Sequence, residues 1–408
     1  MERLLTMFEE ADPFSTWWPT IAALAVGLVI TVRTIMSGQR CPNDNQIKEQ
    51  IVVVTGGNSG IGYEIAQALA GRGGRIILAC RNMKAAERAA AVIKRELGCR
   101  TPCYPDDDTN PADRYFVEAR YLDLNSFRSV HHFAGQLMAE FDRVDVLVNN
   151  AGLVFANTQL ATPDGFEQHS QVNYLASFLL TQLLLPHLKR SEQGRIVFVS
   201  AHAHQSAKID FDDPLNVGTW AVKFHARDAF AHSKLAVLLA TRWLARELKD
   251  TSVTVNCCTP GLVRGTRHFR NSPLMSSICV RVVTFPWMWI FMKNPYEGAQ
   301  CAIRLATDPQ LKQVTGEYFN DCEIAASSEP GQDKELAKKL YMQTIKTLES
   351  VTKLTVDREA YAVKLEQEPE LRLETAPETE TNQAEDMDTE TEMETAMEME
   401  REEQQPLE

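Results

Sequence analysis

A glycine-rich turn is the first part of the sequence whose residue types could bind a ligand. The turn follows an apolar stretch, Ile51–Thr55, and precedes a segment of helical spacing that begins near Tyr63. Glycines let a backbone approach phosphate oxygens, and a helix N-terminus offers free N–H groups and a partial positive charge. This order predicts a site for the pyrophosphate of a dinucleotide, although a glycine cluster alone would be weak evidence. The turn consists of Gly56, Gly57, Asn58, Ser59, Gly60, Ile61 and Gly62.

Arg81 follows the next apolar stretch, Arg75–Cys80, at the point where a dinucleotide fold places the residue that contacts the ribose. An acidic residue there would hydrogen-bond the ribose hydroxyls and select NAD. The guanidinium of Arg81 would instead pair with a 2′-phosphate, so it favours NADP(H). The alternative interpretation is a surface arginine at the end of a strand.

The elements that must position these residues alternate between apolar and amphipathic segments. Uninterrupted apolar strands joined by helices are typical of a parallel sheet that is buried on both faces. We therefore expect a single doubly wound α/β domain of the Rossmann type over residues 49–353, with an inserted surface loop at 97–113 and a closing helix from Gln332. The strands are predicted at Ile51–Thr55, Arg75–Cys80, Tyr121–Leu124, Val144–Val148, Arg195–Ser200 and Val253–Cys257.

An apolar segment, residues 17–36, precedes the domain and is joined to it by a linker, residues 37–48. Its length is close to the roughly 17–25 residues of a spanning helix, if Arg33 extends to the membrane surface. The first 16 residues are mostly acidic where charged, whereas basic residues follow the segment, which predicts that the domain faces the cytosol. The alternative is a cleaved secretory signal, but the basic start is weak and a small-residue cleavage site is absent.

A second apolar segment, residues 272–292, contains Trp287, Trp289 and Phe291. Pro286 argues against a straight spanning helix. The segment is either a lid over the substrate that also touches the bilayer or a buried pair of helices.

The net charge of −13 belongs to the C-terminal tail, because residues 371–408 contain 14 acidic and two basic residues. Residues 354–408 have too few apolar side chains to fold and are predicted to be disordered. The rest of the chain shows no basic stripe, which argues against a nucleic-acid partner. The nine cysteines form no CxxC pair, which favours reduced thiols over a disulfide framework or a metal site.

Several further motifs resemble the short-chain dehydrogenase/reductase family over residues 48–350. The glycine turn, the sequence Asn149-Asn150-Ala151-Gly152 and the pair Pro260-Gly261 occur in the family's order. The phrases at 79–82, 172–175 and 232–236 look closest to its retinol dehydrogenase branch. By this resemblance, Asp123 would hold the adenine amine, and Asn150 and Gly152 would shape the ribose region. Pro260, Gly261 and Thr266 would border the nicotinamide, with the register of Thr266 uncertain by one residue.

The resemblance also implies a catalytic set, which this chain keeps only in part. Family members use a tyrosine as proton donor, a lysine four residues later, a serine after the fifth strand and an asparagine on the preceding helix. Asn173 and Lys234 match, but Phe230 occupies the tyrosine position. Ala201 stands where the serine is expected, unless a one-residue shift restores Ser200.

Three functional hypotheses follow. The chain is an NADP(H)-dependent oxidoreductase for a lipophilic, retinoid- or steroid-like alcohol or carbonyl at a membrane, by likeness the endoplasmic reticulum. Alternatively it binds the cofactor without turnover, or it is an interaction module that acts through its tail. In the first case His202 or His204 could replace the missing proton donor.

Overall fold

An eight-stranded sheet in the order β3-β2-β1-β4-β5-β6-β7-β8 organises the protein, as seen in a computed structural model. Strands β1 to β7 are parallel, and β8 pairs antiparallel with β7. The structure describes residues 17–100, 115–154, 161–210, 212, 215, 225–264 and 278–352. The strands are β1 Ile51–Thr55, β2 Arg75–Cys80, β3 Val117–Tyr121, β4 Val146–Asn149, β5 Arg195–Val199, β6 Thr254–Thr259, β7 Tyr318–Asn320 and β8 Glu323–Ile324.

Helices cover both faces of the sheet, so that it separates two apolar cores. Side chains alternate along β1: Val53 belongs to the core that α4, α5, α6 and α10 complete, whereas Val52 and Val54 belong to the core under α2, α3 and α8. This arrangement confirms the predicted doubly wound α/β class. The helices are α1 Trp18–Ser37, α2 Gly60–Gly71, α3 Met83–Arg100, α4 Phe127–Glu140, α5 Ala176–Lys189, α6 Ala226–Glu247, α7 Ile278–Phe291, α8 Pro295–Thr307, α9 Glu329–Gln332 and α10 Lys334–Thr352.

Two predicted boundaries are wrong by about four residues, whereas the bounds of β4 and β6 differ from the predicted ones by one or two. The third strand is Val117–Tyr121 and not Tyr121–Leu124, because β3 lies at the edge of the sheet and carries polar residues that an apolar pattern does not detect. Helix α3 continues through Arg100, so the inserted loop does not begin at Leu97. The remainder of that loop, together with residues 1–16, 272–277 and the tail at 354–408, lies outside the described residues.

A wide, π-helical turn, Ser170–Leu175, leads directly into α5. All six of its residues are buried. A π-helical turn contains one residue more than an α-helical turn, and such turns often occur at functional sites. Asn173 is a member of this turn, so its position differs from the one that a regular helix would give.

The N-terminal helix α1 and the linker after it contact the domain. Helix α1 has 20 residues, none of them buried, and is the one helix in the described part of the chain that is long and apolar enough to cross a membrane. The linker is held by Arg72, which donates to the Asn43 side chain at 3.1 Å, to the Asn43 carbonyl at 2.7 Å and to Thr307 Oγ1 at 2.8 Å. Helix α7 packs against α1.

Candidate active site

The glycine turn adopts a conformation that leaves room for a ligand. Gly56 has φ +68°, a value that residues with a Cβ rarely adopt. A Cβ at position 62 would collide with the Gly56 carbonyl and with the side-chain nitrogen of Asn150. Helix α2 begins at Gly60, three residues before the predicted start near Tyr63, so its first N–H groups belong to the turn itself. These features fit a dinucleotide pyrophosphate.

Thr55 joins this turn to the end of β4. Its buried hydroxyl oxygen accepts hydrogen bonds from the backbone N–H groups of Asn150 at 3.0 Å and Ala151 at 2.9 Å. The Asn150 side chain returns a bond to the Thr55 carbonyl at 3.0 Å. The structure therefore brings the predicted pyrophosphate and ribose regions together through a residue that the sequence analysis did not select. A lone hydroxyl at the end of an otherwise apolar strand was the available signal.

Arg81, Asp123 and Tyr121 lie near one another at the ends of β2 and β3. Burial and the neighbouring Asp123 carboxylate raise the pKa of Tyr121, while the Arg81 guanidinium acts in the opposite direction. Asp123 Oδ1 accepts from the backbone and side-chain nitrogens of Asn125 at 2.9 and 3.1 Å. The exposed Arg81 and the oriented Asp123 are thus placed together, as a site for a phosphorylated adenosine would require. Tyr121 is an addition that the sequence analysis missed.

Pro260 and Gly261 directly follow β6, on the other side of the glycine turn. A Cβ at Gly298 of α8 would lie 3.5 Å from both Pro260 and Ile61, so the end of β6 and the start of α2 pack against the same point. The predicted cofactor residues that follow β1 and those that follow β6 therefore lie close together. Thr266 lies outside the described residues.

Asn173 is fixed through both ends of its side-chain amide. Its oxygen accepts from the Leu153 N–H at 2.6 Å, and its nitrogen donates to the Leu153 carbonyl at 3.0 Å and to Ser233 Oγ at 2.9 Å. Ser233 in turn donates to the Phe230 carbonyl at 2.7 Å. The π-helical turn is thereby attached to α6, the helix that carries the lysine. Ser233 was not selected from the sequence, although it directly precedes Lys234.

Lys234 is buried, and its ammonium group donates to the Val199 carbonyl at 2.9 Å. A Cβ at Gly152 would lie 3.4 Å from this nitrogen and 3.1 Å from Asn173 Oδ1, so the three predicted residues share one pocket. Burial lowers the pKa of the Lys234 amine to about 8. The nearby Cys257 thiol, whose own pKa burial raises to about 12, is neutral near pH 7 and provides no counter-charge.

Phe230 lies one turn before Lys234 on α6, where i and i+4 side chains share a face. Its ring lies edge-on to the ring of His169, with centroids 6.4 Å apart. His169 Nδ1 is 2.6 Å from the Glu167 carboxylate, and both residues are buried. Burial favours the neutral carboxyl, but the interactions with the His169 ring and the hydrogen bonds from the backbone N–H groups of His169 and Ser170 together outweigh it, so the pKa of Glu167 is lowered. This buried pair was missed by the sequence analysis.

Ser200 and Ala201 lie at the end of β5. The Ser200 hydroxyl is buried and donates to the Lys234 carbonyl at 2.9 Å. Ala201 precedes a short 3₁₀ helix, His202–Ser206. His204 is buried within it, with Nδ1 2.8 Å from the Ala201 carbonyl and Nε2 accepting from the Ser328 N–H at 3.3 Å. Both ring nitrogens of His204 are engaged and burial lowers its pKa, so of the two histidines the exposed His202 is the better candidate for proton transfer.

Together, the fold and the site define a class of protein. The family model for short chain dehydrogenases matches residues 50–211. Human retinol dehydrogenase 13 is 38% identical over 318 residues, which cover 78% of this chain and 90% of that protein. Human retinol dehydrogenase 14 is 40% identical over 292 residues, which cover 71% and 83%. The chain belongs to the short-chain dehydrogenase/reductase family. Within it, these relatives confirm the predicted likeness to the retinol dehydrogenase branch.

Solved structures agree with this assignment. An uncharacterised protein from Mycobacterium paratuberculosis has a TM-score of 0.56 and 27% identity, over 78% of this chain and 99% of that one. A short chain dehydrogenase from Escherichia coli CFT073, solved in complex with NADPH, has a TM-score of 0.50 and 25% identity, over 69% of this chain and 100% of that one.

Proposed function

We propose that this chain binds NADP(H) at a membrane and acts as an oxidoreductase for lipophilic, retinoid-like alcohols or aldehydes, with turnover limited by Phe230. The observation that carries the proposal is the pocket in which Lys234, Asn173 and Gly152 meet beside the glycine turn. A chain that had kept the fold for packing alone would have no need of a buried lysine amine there, since burying a charge is costly.

NADP(H) is supported by the residues at both ends of the predicted cofactor site. The glycine turn suits a pyrophosphate, and Arg81 beside Asp123 suits an adenosine that carries a 2′-phosphate. The E. coli structural neighbour was solved with NADPH. When bound, the cofactor would supply or accept the hydride.

The chain's own residues would orient the reactants. Lys234 would bind the nicotinamide ribose through its ammonium group, and Asn173 would hold the backbone of Leu153 in place. Ser200 or Ala201 would lie near the reacting oxygen. Phe230 fills the position of a proton donor without having a proton to donate, and a positioned general acid or base is typically worth about 10²–10⁴-fold in rate.

The substrate class and the membrane are proposed from different observations. The relatives named retinol dehydrogenases favour a retinoid-like alcohol or aldehyde. The 20 residues of the largely apolar α1 would span about 30 Å, the thickness of a bilayer core. The basic residues after α1 favour a domain in the cytosol, and the endoplasmic reticulum is the membrane that the family likeness favours.

A second candidate is a cofactor-binding protein without turnover. Phe230 favours it, because the ring keeps the volume of a tyrosine while removing the hydroxyl. Ala201 acts in the same direction, since a hydrogen-bond donor to the reacting oxygen is typically worth about 10²–10³-fold.

One experiment separates the two candidates. NADPH oxidation would be measured with all-trans-retinal for the native chain, for Phe230→Tyr and for Phe230→Tyr/Ala201→Ser, with Phe230→Leu as the control for packing. We expect slow turnover by the native chain, no gain from Phe230→Leu and a large gain from Phe230→Tyr.

Other outcomes change the conclusion. An inert native chain beside an active Phe230→Tyr variant identifies the cofactor-binding candidate. A native rate equal to that of the tyrosine variant contradicts a role for Phe230 in limiting turnover and makes His202 the next residue to replace. If NADPH binds to none of the four proteins, the proposed function is wrong.

A further inference from the structure

Helix α7 exposes large aromatic side chains. Phe285, Trp287 and Phe291 are 46%, 65% and 43% exposed. The rings of Trp287 and Phe291 stack with their centroids 5.9 Å apart and their planes 7° apart. These exposures contradict a buried helix pair for this part of the segment. Trp287 and Phe291, four residues apart, form one exposed aromatic face, and because exposed apolar area is unfavourable in water, such a face usually marks an interaction surface.

Arg33 of α1 fixes this surface beside the end of the apolar helix. Its guanidinium lies 2.5 Å from Glu297 Oε1 and 5.8 Å from the centroid of the Trp289 ring. The side chains of Arg33 and Glu297 are 13% and 14% exposed, so the ion pair is largely shielded from water. Helix α7 is therefore held beside the C-terminal part of α1, against which it packs.

Contacts with the domain also hold α7 in position. Lys293, two residues after α7, forms an ion pair with Asp321 next to Gly38, the residue that follows α1. The bonds from Arg72 to Asn43 then hold the linker against α2 and α8. Helices α1 and α7 are thus connected to each other and to the domain through these contacts.

We propose that α7 is a membrane-contacting helix, whose exposed face at Trp287 and Phe291 lies in the interfacial layer of the phospholipid bilayer that α1 crosses. This inference rests on the proposed membrane span of α1. Tryptophan is enriched at the membrane interface, where an apolar ring and a polar N–H are both accommodated. With only 14 residues, α7 is too short to cross the bilayer, which fits a helix that lies along its surface.

The bilayer is the occupant that the geometry favours over a second copy of the chain. A surface that is held beside the end of a membrane-spanning helix lies at the level of the bilayer surface. A second copy would have to cover α1 as well as α7, and α1 has no buried residue.

The membrane-contacting helix is connected to the predicted nicotinamide region. The Lys293 N–H donates to the Leu262 carbonyl, and the Arg264 N–H donates to the Lys293 carbonyl, both at 2.8 Å. Leu262 and Arg264 directly follow Pro260 and Gly261. The end of α7 is therefore joined to this region by two backbone hydrogen bonds.

Lipid quenching of single tryptophans tests the proposal on the full chain. The native protein, Trp287→Phe and Trp243→Phe would be reconstituted into phosphatidylcholine vesicles with ordinary or brominated acyl chains. Subtracting each variant's fluorescence from that of the native protein isolates the emission of Trp287 or Trp243. Trp243 is the matched control, because it packs beside Tyr341 of α10 within the domain.

We expect brominated lipid to remove most of the Trp287 emission and to leave the Trp243 emission unchanged, while Trp287 becomes protected from iodide in the aqueous phase. A protein that floats with the vesicles but shows no quenching of Trp287 by brominated lipid overturns this inference and leaves the anchor intact. Protection from iodide without that quenching would indicate that a second copy of the chain, in place of lipid, covers Trp287. A protein that does not float with the vesicles overturns both proposals.

Discussion

The ammonium nitrogen of Lys234 lies 5.8 Å from the centroid of the Phe230 ring. This distance is within the range of a cation–π contact, in which the electron-rich ring face attracts a positive charge. The same nitrogen donates to the Val199 carbonyl. The chain has therefore kept the cation of its family's catalytic pair, and an aromatic ring beside it, while the hydroxyl that would exchange a proton is missing.

The burial of Lys234 makes stability depend on pH. Its pKa is about 8 in the folded chain, below its ordinary value of 10.5, so the unfolded state binds more protons between these values and stability rises with pH there. The free-energy cost of burying the protonated amine is fully present below about pH 8. The difference between the two pKa values corresponds to about 3 kcal/mol in the free energy of unfolding. Chemical unfolding of native chain and Lys234→Met near pH 7 and near pH 10 measures it. We expect the free energy of unfolding of the native chain to rise relative to that of Lys234→Met at the higher pH. A difference between the two proteins that does not change with pH would contradict the lowered pKa of Lys234.

Ser233→Ala should destabilise the fold because the hydroxyl is buried and bonded on both sides. Removing it leaves the Asn173 side-chain nitrogen with its bond to the Leu153 carbonyl alone, and an unsatisfied buried polar group costs about 1–3 kcal/mol. Ser206→Ala is the matched control, since its exposed hydroxyl contacts only the nearby Ala203 carbonyl and should change stability by less than about 0.5 kcal/mol. Thermal unfolding in one detergent compares them. Equal melting temperatures would show that Ser233 does not support Asn173.

Arg81→Ala should weaken NADPH binding while leaving NADH binding unchanged. A hydrogen bond to a charged group is worth about 1.5–3 kcal/mol, which corresponds to roughly 10–100-fold in affinity. Isothermal titration calorimetry with both cofactors measures the ratio. Lys84→Ala removes an exposed positive charge three residues away and controls for general electrostatics. A parallel loss for both cofactors would contradict contact with the 2′-phosphate.

Gly62→Ala should abolish cofactor binding, because the added Cβ collides with the backbone of Gly56 and displaces Asn150. Overpacking of this kind also costs about 1–3 kcal/mol of stability. Gly71→Ala lies at the other end of α2, where a Cβ meets only a Leu97 methyl group at 3.3 Å. The measurement is the rise in melting temperature on adding NADPH, which we expect for Gly71→Ala but not for Gly62→Ala. Stabilisation of both would place the cofactor away from the turn.

The sequence predicted the features that have a strong local signal. The glycine turn and the strands β1 and β2 have the expected residues, because buried parallel strands are continuously apolar. The edge strand β3 was displaced by four residues, since its exposed face is polar. Thr55 and Ser233 were not selected, because the hydrogen bonds that join them to Asn150 and Asn173 link residues distant in the chain. The contact between Arg33 and Glu297 joins residues 264 positions apart and has no local pattern.

The π-helical turn at Ser170–Leu175 makes the position of Asn173 depend on the number of residues as well as on their identity. In a regular α-helix each residue advances about 100° around the axis. Removing one residue from this turn would let it relax to α-helical geometry, as the removal of a π-bulge does, and the amide of Asn173 would rotate away from Leu153 and Ser233. An insertion or deletion in this segment would therefore change the geometry of the site, even where every side chain named in the site is retained.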